Sequence, residues 1–247
     1  MAKIRLDQLL VAQGLVESRT KAQALIMAGL VFHGEQKLDK AGAVFPEEIE
    51  LTVRGREHPW VSRGGVKLAH ALTHFAMDVT GVVAMDVGAS TGGFTDVLLT
   101  HGAAKVYAVD VGHGQLDVKL RNDPRVVVME KTNARDVTAA SVSEPLDLIV
   151  CDASFISLKK VLPAALALTA PTARLVTLIK PQFEVGKIEV SRGKGVIRDA
   201  ALHAQVCADI TDWVGGLGWK VEGIATSPIT GPKGNVEFLL YATKGHA

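Results

Sequence analysis

From Val82 onward, short apolar runs typical of buried strands alternate with helical segments. Seven such runs lie at residues 82–87, 106–109, 126–129, 146–151, 175–179, 219–225 and 237–242. Helical segments separate the first six, notably at residues 93–100, 158–168 and 200–214. Because parallel strands require crossover helices, this order predicts an α/β fold with a parallel sheet. A Pro- and Gly-rich stretch joins the last two runs, so we expect them to pair antiparallel at one edge.

The N-terminal part of the chain follows a different pattern and predicts a small α+β domain. Leu6, Leu9 and Leu10 share one helical face, and Ser18 is placed to cap a second helix over residues 19–28. Short strands are expected to follow that helix.

The two patterns meet at the tetrapeptide His-Pro-Trp-Val, where proline favours an extended backbone. The sequence therefore predicts a first domain at residues 1–57, a linker at residues 58–61 and a second domain at residues 62–247. We expect Trp60 of the linker to pack against its own protein.

The charge balance limits how the chain can bind nucleic acid. Lys and Arg number 27 against 26 Asp and Glu, and the net charge of +1 excludes binding through bulk charge. Near the N-terminus, Lys3, Arg5, Arg19 and Lys21 outnumber the acids and are expected on a basic helical face. Such a face would contact RNA phosphates locally, although a merely solvated helix has the same composition.

Other features favour a cytoplasmic monomer without a metal or a membrane anchor. Cys151 and Cys207 are too few for a disulfide scaffold and suggest a reducing compartment. Residues 161–179 carry one charge but contain Pro163 and Pro171, which predicts a core helix and a buried strand instead of a membrane span. The eight histidines lack metal-ligand spacing.

Spaced landmarks in the first domain resemble the RNA-binding domain named after ribosomal protein S4. They are Arg5-Leu6-Asp7, Leu10, Gly14, Ser18-Arg19, Ala22, Ile26, Gly29, Val31 and Gly34. The resemblance implies that the basic residues of this domain contact RNA.

Seven strands with an antiparallel ending resemble the class I (Rossmann-like) methyltransferases, whose cofactor is S-adenosylmethionine. The first strand ends in DVGASTGGF, which matches neither the G-x-G-x-x-G dinucleotide fingerprint nor a Gly-Lys-Ser/Thr phosphate loop. The small residues would leave room for the amino-acid end of the cofactor, and the carboxylate of Asp86 would face its cationic group. The candidate residues are Asp86, Gly88, Ala89, Ser90, Thr91, Gly92, Gly93 and Phe94.

A second acid, Asp110, ends the next strand, 24 residues after Asp86. There it would accept hydrogen bonds from the ribose hydroxyls of the cofactor, with Val111 beside it. Asn133 and Arg135 follow the third strand, and we expect them at the level of the adenine.

Four polar residues indicate which atom receives the methyl group. Asp152 and Lys180 end the fourth and fifth strands, next to the cofactor crevice. Glu237 lies in the seventh strand, and Lys67 precedes the first strand. Asp152 lacks the Pro-Pro-aromatic continuation used for base amines, so the set suits a hydroxyl, in particular a ribose 2′-oxygen. Lys180 would act as the base or align the hydroxyl. A purely structural Lys180–Asp152 ion pair is the alternative.

From end to end, the chain resembles the TlyA family, in which an S4-like domain precedes an FtsJ-type methyltransferase. The matching motifs are WVSRGG, DVGASTGGFTD, VYAVDVGHGQL, DASFISL, KPQFE and GNVEF. The resemblance implies 2′-O-methylation of cytidine in ribosomal RNA, with Lys67, Asp152, Lys180 and Glu237 as the catalytic set. The short tail after Ala242 resembles a subtype that modifies only the large subunit.

Several residues near the candidate site allow two interpretations. Lys187, Arg192 and Lys194 in a basic loop, together with Arg63, would clamp RNA phosphates or merely keep the surface soluble. Phe155 and Phe183 would stack on the target base or, more commonly, pack in the core. The turn-rich residues 227–234 would form a substrate lip or a plain connection.

Three alternative functions conflict with parts of the sequence. TlyA relatives are often labelled hemolysins, but a membrane-active protein needs an exposed apolar or strongly amphipathic element. A catalytically silent RNA-binding module would not need the four polar residues. A small-molecule O-methyltransferase has no use for the basic first domain.

Overall fold

The computed structural model describes residues 3–16, 18–54, 58–193 and 195–245, and the chain separates into two compact units, Met1–Pro59 and Trp60–Ala247. The described elements of the first unit are β1 (Lys3–Arg5), α1 (Leu6–Ala12), α2 (Arg19–Met27), β2 (Val31–His33), β3 (Gln36–Lys37), β4 (Val44–Pro46) and β5 (Thr52–Val53).

In the first unit, two helices and two small antiparallel sheets enclose one core. Leu6, Leu9 and Leu10 are fully buried, and the Ser18 hydroxyl accepts a hydrogen bond from the Lys21 backbone N–H, which confirms the predicted cap. β1 pairs with β4, and β2 lies between β3 and β5. The prediction of a helical position was wrong for Lys3 and Arg5, because the backbone there hydrogen-bonds to β4 instead of starting α1.

The second unit begins with a helix and continues as an alternating α/β domain. Its described elements are α3 (Gly64–His74), β6 (Val83–Val87), α4 (Gly93–Thr100), β7 (Lys105–Val109), α5 (Val118–Arg121), β8 (Val126–Met129), a 3-10 turn (Ala134–Asp136), β9 (Leu146–Cys151), α6 (Leu158–Val161), α7 (Pro163–Leu166), β10 (Thr169–Ile179), α8 (Pro181–Glu184), α9 (Lys187–Arg192), α10 (Ala200–Gly216), β11 (Lys220–Thr226) and β12 (Phe238–Lys244).

Within the described residues, seven strands form one sheet in the order β11-β12-β10-β9-β6-β7-β8. Strands β6 to β10 pair parallel, whereas β12 is antiparallel to both β10 and β11. This arrangement confirms the predicted fold class and the antiparallel edge. It also brings the carboxyl ends of β6, β9 and β10 side by side, so the loops that follow them lie at one edge of the sheet.

The sequence did not reveal α3, which precedes the sheet. Gly64 and Gly65 are poor helix formers, yet Leu68 and Ala71 are fully buried on the sheet side. A Cβ atom on Gly65 would lie 2.4 Å from Cγ of Trp60, so only glycine allows Trp60 to pack on this helix. Trp60 thus contacts its own protein, as expected.

Two other segments differ from the prediction. The helix expected at residues 158–168 is two short helices, because Pro163 begins the second one. Strand β10 starts at Thr169, six residues before the apolar run that predicted it, because its polar first half still pairs with neighbouring strands.

The cysteines and the candidate membrane segment belong to the interior of this domain. Cys151 is fully buried, which raises the pKa of its thiol to about 12, and partial burial raises the pKa of Cys207 as well. Residues 161–179 form a short helix followed by β10, much as predicted. No helix in the described ranges combines the length and the apolar character that a membrane crossing requires.

Candidate active site

The four predicted catalytic side chains meet at one edge of the sheet. Asp152 follows β9, Lys180 follows β10, Lys67 projects from α3, and Glu237 stands one residue before β12, so it is not in the strand as predicted. Lys67 Nζ lies 2.7 Å from Glu237 Oε2 and 3.2 Å from Asp152 Oδ2. Lys180 Nζ lies 2.6 Å from Asp152 Oδ1. Asp152 therefore joins both lysines.

This cluster is largely withdrawn from water. Lys67, Lys180 and Glu237 are buried, and the Asp152 side chain is 17% exposed. Two cations and two anions make the group neutral, which offsets the cost of burying each charge. Lys180 also donates to the Asp152 backbone carbonyl at 3.0 Å and to Ser154 Oγ at 2.9 Å. Its amino group is consequently fixed in position.

A glycine-rich turn follows β6 and leads into α4. Gly88 and Gly92 have φ angles of +83° and +91°, which side chains rarely adopt. A Cβ atom on Gly88 would lie 3.0 Å from Cα of Ala153, and one on Gly93 would lie 2.4 Å from Ser62 Oγ. Glycine at positions 88 and 93 therefore lets the turn pack closely against Ala153 and Ser62.

Asp86 is the last but one residue of β6 and is almost completely buried. Its Oδ2 accepts hydrogen bonds from the backbone N–H and the hydroxyl of Thr95, at 3.0 and 2.7 Å. Its Oδ1 has no hydrogen-bond partner among the described residues. Burial raises the pKa of this carboxyl to about 7, and the negative charge of Asp152 adds to the shift.

The second predicted acid organises the adjacent loop. Asp110 Oδ2 accepts from the Ser90 backbone N–H at 2.8 Å, and Oδ1 accepts from the Gly112 N–H at 2.7 Å. Val111, beside it, is 72% exposed. Further along, Asn133 Oδ1 accepts from the backbone N–H and Nε of Arg135 and so caps the 3-10 turn.

A cavity of about 1210 Å³ connects the glycine-rich turn to the four-residue cluster. The predicted residues that line it are Lys67, Asp86, Gly88, Ala89, Ser90, Thr91, Gly93, Phe94, Arg135, Asp152, Lys180 and Glu237. Its described lining does not include the predicted cofactor residues Gly92, Asp110, Val111 and Asn133.

Two phenylalanines also line the cavity. The rings of Phe155 and Phe183 lie 5.1 Å apart, and Phe155 is 90% exposed with a φ angle of +65°. Core packing, the commoner expectation, is therefore wrong for Phe155. A large aromatic side chain held exposed on strained backbone is typical of a binding site.

Sequence reasoning missed some of the polar lining. Ser154 hydrogen-bonds to Lys180, and its place two residues after Asp152 was the available signal. Asn235 is buried and donates to Gly195 O while accepting from the Ile197 N–H, both at 2.9 Å. Because these partners are about forty residues away in sequence, no local pattern could reveal them. From this turn-rich segment, Gly231, Pro232, Lys233 and Asn235 line the cavity.

The predicted RNA contacts are divided between the two units. In the first, Lys3 and Lys21 are exposed, while Arg5 and Arg19 both pair with Asp7. In the second, Arg63 is exposed just before α3. Lys194 lies outside the described residues, as do the side chains of Lys187 and Arg192. The described part of the chain contains no group of His, Cys, Asp or Glu residues that could hold a metal ion.

Comparison with known proteins adds a family context. The model of FtsJ-like methyltransferases matches residues 60–244, and that of the S4 domain matches residues 4–43. The 16S/23S rRNA (cytidine-2′-O)-methyltransferase TlyA of Mycobacterium tuberculosis is 48% identical over 240 residues, or 97% of this chain and 89% of that protein. Hemolysin A of Brachyspira hyodysenteriae is 43% identical over 241 residues, or 96% of this chain and 99% of that protein. A solved structure from Streptococcus thermophilus, which also carries a hemolysin name, has a TM-score of 0.77 and 41% identity and covers 100% of this chain and 90% of its own.

Proposed function

The chain belongs to the FtsJ-like methyltransferase family, and from this we propose that it transfers a methyl group from S-adenosylmethionine to the ribose 2′-oxygen of a cytidine in ribosomal RNA, in the large subunit. In this proposal residues 1–57 bind the RNA, residues 58–61 link the domains and residues 62–247 perform the transfer. The enzyme acts as a cytoplasmic monomer.

The observation that carries the proposal is the neutral cluster of two lysines and two acids beside the glycine-rich turn. Asp152 pairs with Lys67 and Lys180, and Lys67 pairs in turn with Glu237. A structural ion pair would need only one partner for each charge. Here a lysine amine is held at the rim of a cavity that is large enough for a cofactor and a nucleotide.

The residues around the turn fit S-adenosylmethionine. Gly88 and Gly93 line the cavity without side chains of their own, so the cofactor would meet their backbone. The unpartnered Oδ1 of Asp86 supplies the buried acceptor that an ammonium group requires. When bound, the cofactor supplies an electrophilic methyl group. The residues that would hold it are Asp86, Gly88, Ala89, Ser90, Thr91, Gly92, Gly93, Phe94, Asp110, Val111, Asn133 and Arg135.

Lys180 is the residue that aligns the acceptor hydroxyl and takes up its proton. As an ammonium it has three protons, and Asp152 Oδ1, Asp152 O and Ser154 Oγ are close enough to accept all three. When Lys180 has lost one of these protons to solvent, the lone pair lies in the direction of one of these acceptors, where the substrate hydroxyl has to take that acceptor's place. The amine then takes up the hydroxyl proton as the oxygen–methyl bond forms and the bond between the methyl group and its sulfur breaks. Lys67 pairs with Asp152 and holds it in place, and Glu237 in turn pairs with Lys67.

RNA contacts complete the proposal. Phe155 and Phe183 offer a surface on which an unstacked base can stack. Lys3, Arg5, Arg19 and Lys21 contact phosphates from the first unit. In the second unit, Arg63, Lys187, Arg192 and Lys194 clamp the backbone near the site.

The test uses tritiated S-adenosylmethionine with small and large ribosomal subunits that lack the modification, incubated separately with the purified protein. We expect label in the RNA of the large subunit. The reaction with the small subunit tests whether the protein belongs to the subtype that modifies only the large subunit. Label in neither subunit, with cofactor binding intact by calorimetry, would contradict the proposal.

A further inference from the structure

The first unit contains a carboxylate that the proposed chemistry does not use. Asp7, in the first turn of α1, is 0% exposed, although it is charged. The desolvation of an isolated carboxylate costs several kcal/mol, so its partners must offset that cost. The side chains that contact Asp7 therefore indicate its role.

Four nitrogen atoms donate to this carboxylate. Arg5 donates Nε to Oδ1 and Nη2 to Oδ2, each at 3.1 Å. Arg19 Nε and Gln23 Nε2 also donate to Oδ2, each at 2.8 Å. Arg5 ends β1, whereas Arg19 and Gln23 belong to α2, so Asp7 joins three elements of the unit. Pairing with Arg5 in particular holds the pKa of Asp7 far below its ordinary value.

The two arginines differ from Asp7 in their access to solvent. Their side chains are 44% and 51% exposed, for Arg5 and Arg19 respectively. Arg19 binds Asp7 through Nε, and its terminal nitrogens have no hydrogen-bond partner within the described ranges. Because both guanidinium groups contact the same oxygen, Oδ2, they lie side by side and carry one net positive charge beyond the carboxylate.

We propose that Asp7 is a positioning residue for RNA binding, which holds Arg5 and Arg19 as a pair that grips one backbone phosphate. Two guanidinium groups fixed in this way lose little side-chain entropy when they bind. Their free nitrogens suit the oxygen atoms of a phosphate. The inference rests on the proposed function, since it assumes that ribosomal RNA is the ligand.

A purely electrostatic effect and a positioning role predict opposite changes in RNA affinity for Asp7→Asn. Removing a negative charge next to an RNA-binding surface should tighten binding through charge alone. If Asp7 holds the arginines, the same change should weaken binding about tenfold, the loss typical of a hydrogen bond to a charged group. Glu48→Gln is the matched control, because it changes the net charge equally at an exposed acid of the same unit.

The experiment measures the affinity of the full-length protein for transcribed large-subunit ribosomal RNA at several salt concentrations. We expect Arg19→Ala to weaken binding and to reduce the salt slope by about one. In the Arg5→Ala/Arg19→Ala background, Asp7→Asn should change affinity less than twofold, because it acts through these two arginines.

Three other outcomes would overturn the positioning role of Asp7. Unchanged or tighter binding by Asp7→Asn would refute the positioning role. An equal loss with and without the two arginines would show that Asp7 only stabilises the fold, and thermal unfolding would reveal the same defect caused by Asp7→Asn in both backgrounds. If the unmodified protein does not bind the RNA at all, the proposed function fails together with the inference.

Discussion

Replacement of Asp86 by Asn should stabilise the cofactor-free protein at alkaline pH while impairing cofactor binding. Asp86 is buried, its Oδ1 lacks a partner among the described residues, and its pKa is raised from 3.8 to about 7. A carboxyl group whose pKa is higher in the folded state binds its proton more tightly there than in the unfolded chain. Stability therefore falls as pH rises between these two pKa values and is constant above the higher one.

The size of the effect follows from the shift. Each pKa unit corresponds to about 1.4 kcal/mol, so the raised pKa of Asp86 costs up to about 4 kcal/mol of folding free energy at pH 8, where the carboxyl is ionised. At pH 5, where the folded protein holds the carboxyl protonated, the cost is about 2 kcal/mol. Asn has no ionisable proton and can still accept the hydrogen bonds from Thr95. For a domain of this size, the upper limit corresponds to a rise in Tm of about 10 °C at pH 8.

The assay is unfolding of both proteins from pH 5 to pH 8 without cofactor, followed by calorimetric titration with S-adenosylmethionine. Asp212→Asn, an exposed acid of α10, is the control for the change in net charge. We expect the stability difference to grow with pH, and cofactor affinity to drop at least about tenfold with loss of the charged acceptor. A difference that does not depend on pH, or a variant that is less stable at pH 8, would refute the reasoning.

Two further substitutions test the proposed roles of single residues. Lys180→Met should reduce methyl transfer at least about a hundredfold, within the range typical of lost acid–base catalysis, while calorimetry shows unchanged cofactor affinity. The exposed Lys159→Met is its control, and substantial residual turnover would remove Lys180 from the mechanism. Phe155→Ala should weaken RNA binding by about 1–3 kcal/mol through loss of base stacking, with cofactor affinity unchanged. Leu217→Ala, another exposed apolar residue, should have no effect, and equal RNA affinities for the two variants would exclude stacking on Phe155.

The parallel sheet, its antiparallel edge and the residues at the strand ends were predictable because they depend on local composition and on general rules of sheet topology. Apolar runs separated by helices required a parallel sheet, and Asp152 and Lys180 at neighbouring strand ends had to lie close together. The actual distance of 2.6 Å between Lys180 Nζ and Asp152 Oδ1 is a consequence of this topology.

Contacts between distant segments were not predictable from one sequence. Lys67 and Glu237 are 170 residues apart, and Lys67 lies on a helix that the two glycines at its start concealed. The sequence marked Asp7 only as a landmark of the S4 resemblance, and its burial between Arg5 and Arg19 depends on the fold. The exposure of Phe155 depends on a positive φ angle that composition does not indicate.

The central claim is that the acceptor is a ribose 2′-oxygen of cytidine, and the identity of the methylated nucleoside tests it most directly. Ribosomal RNA labelled by the purified protein would be digested completely to nucleosides, which would be separated and compared with standards. We predict that all the label is recovered as 2′-O-methylcytidine. Label on a base-methylated nucleoside would contradict the assignment of the Lys67, Asp152, Lys180 and Glu237 cluster to a hydroxyl acceptor.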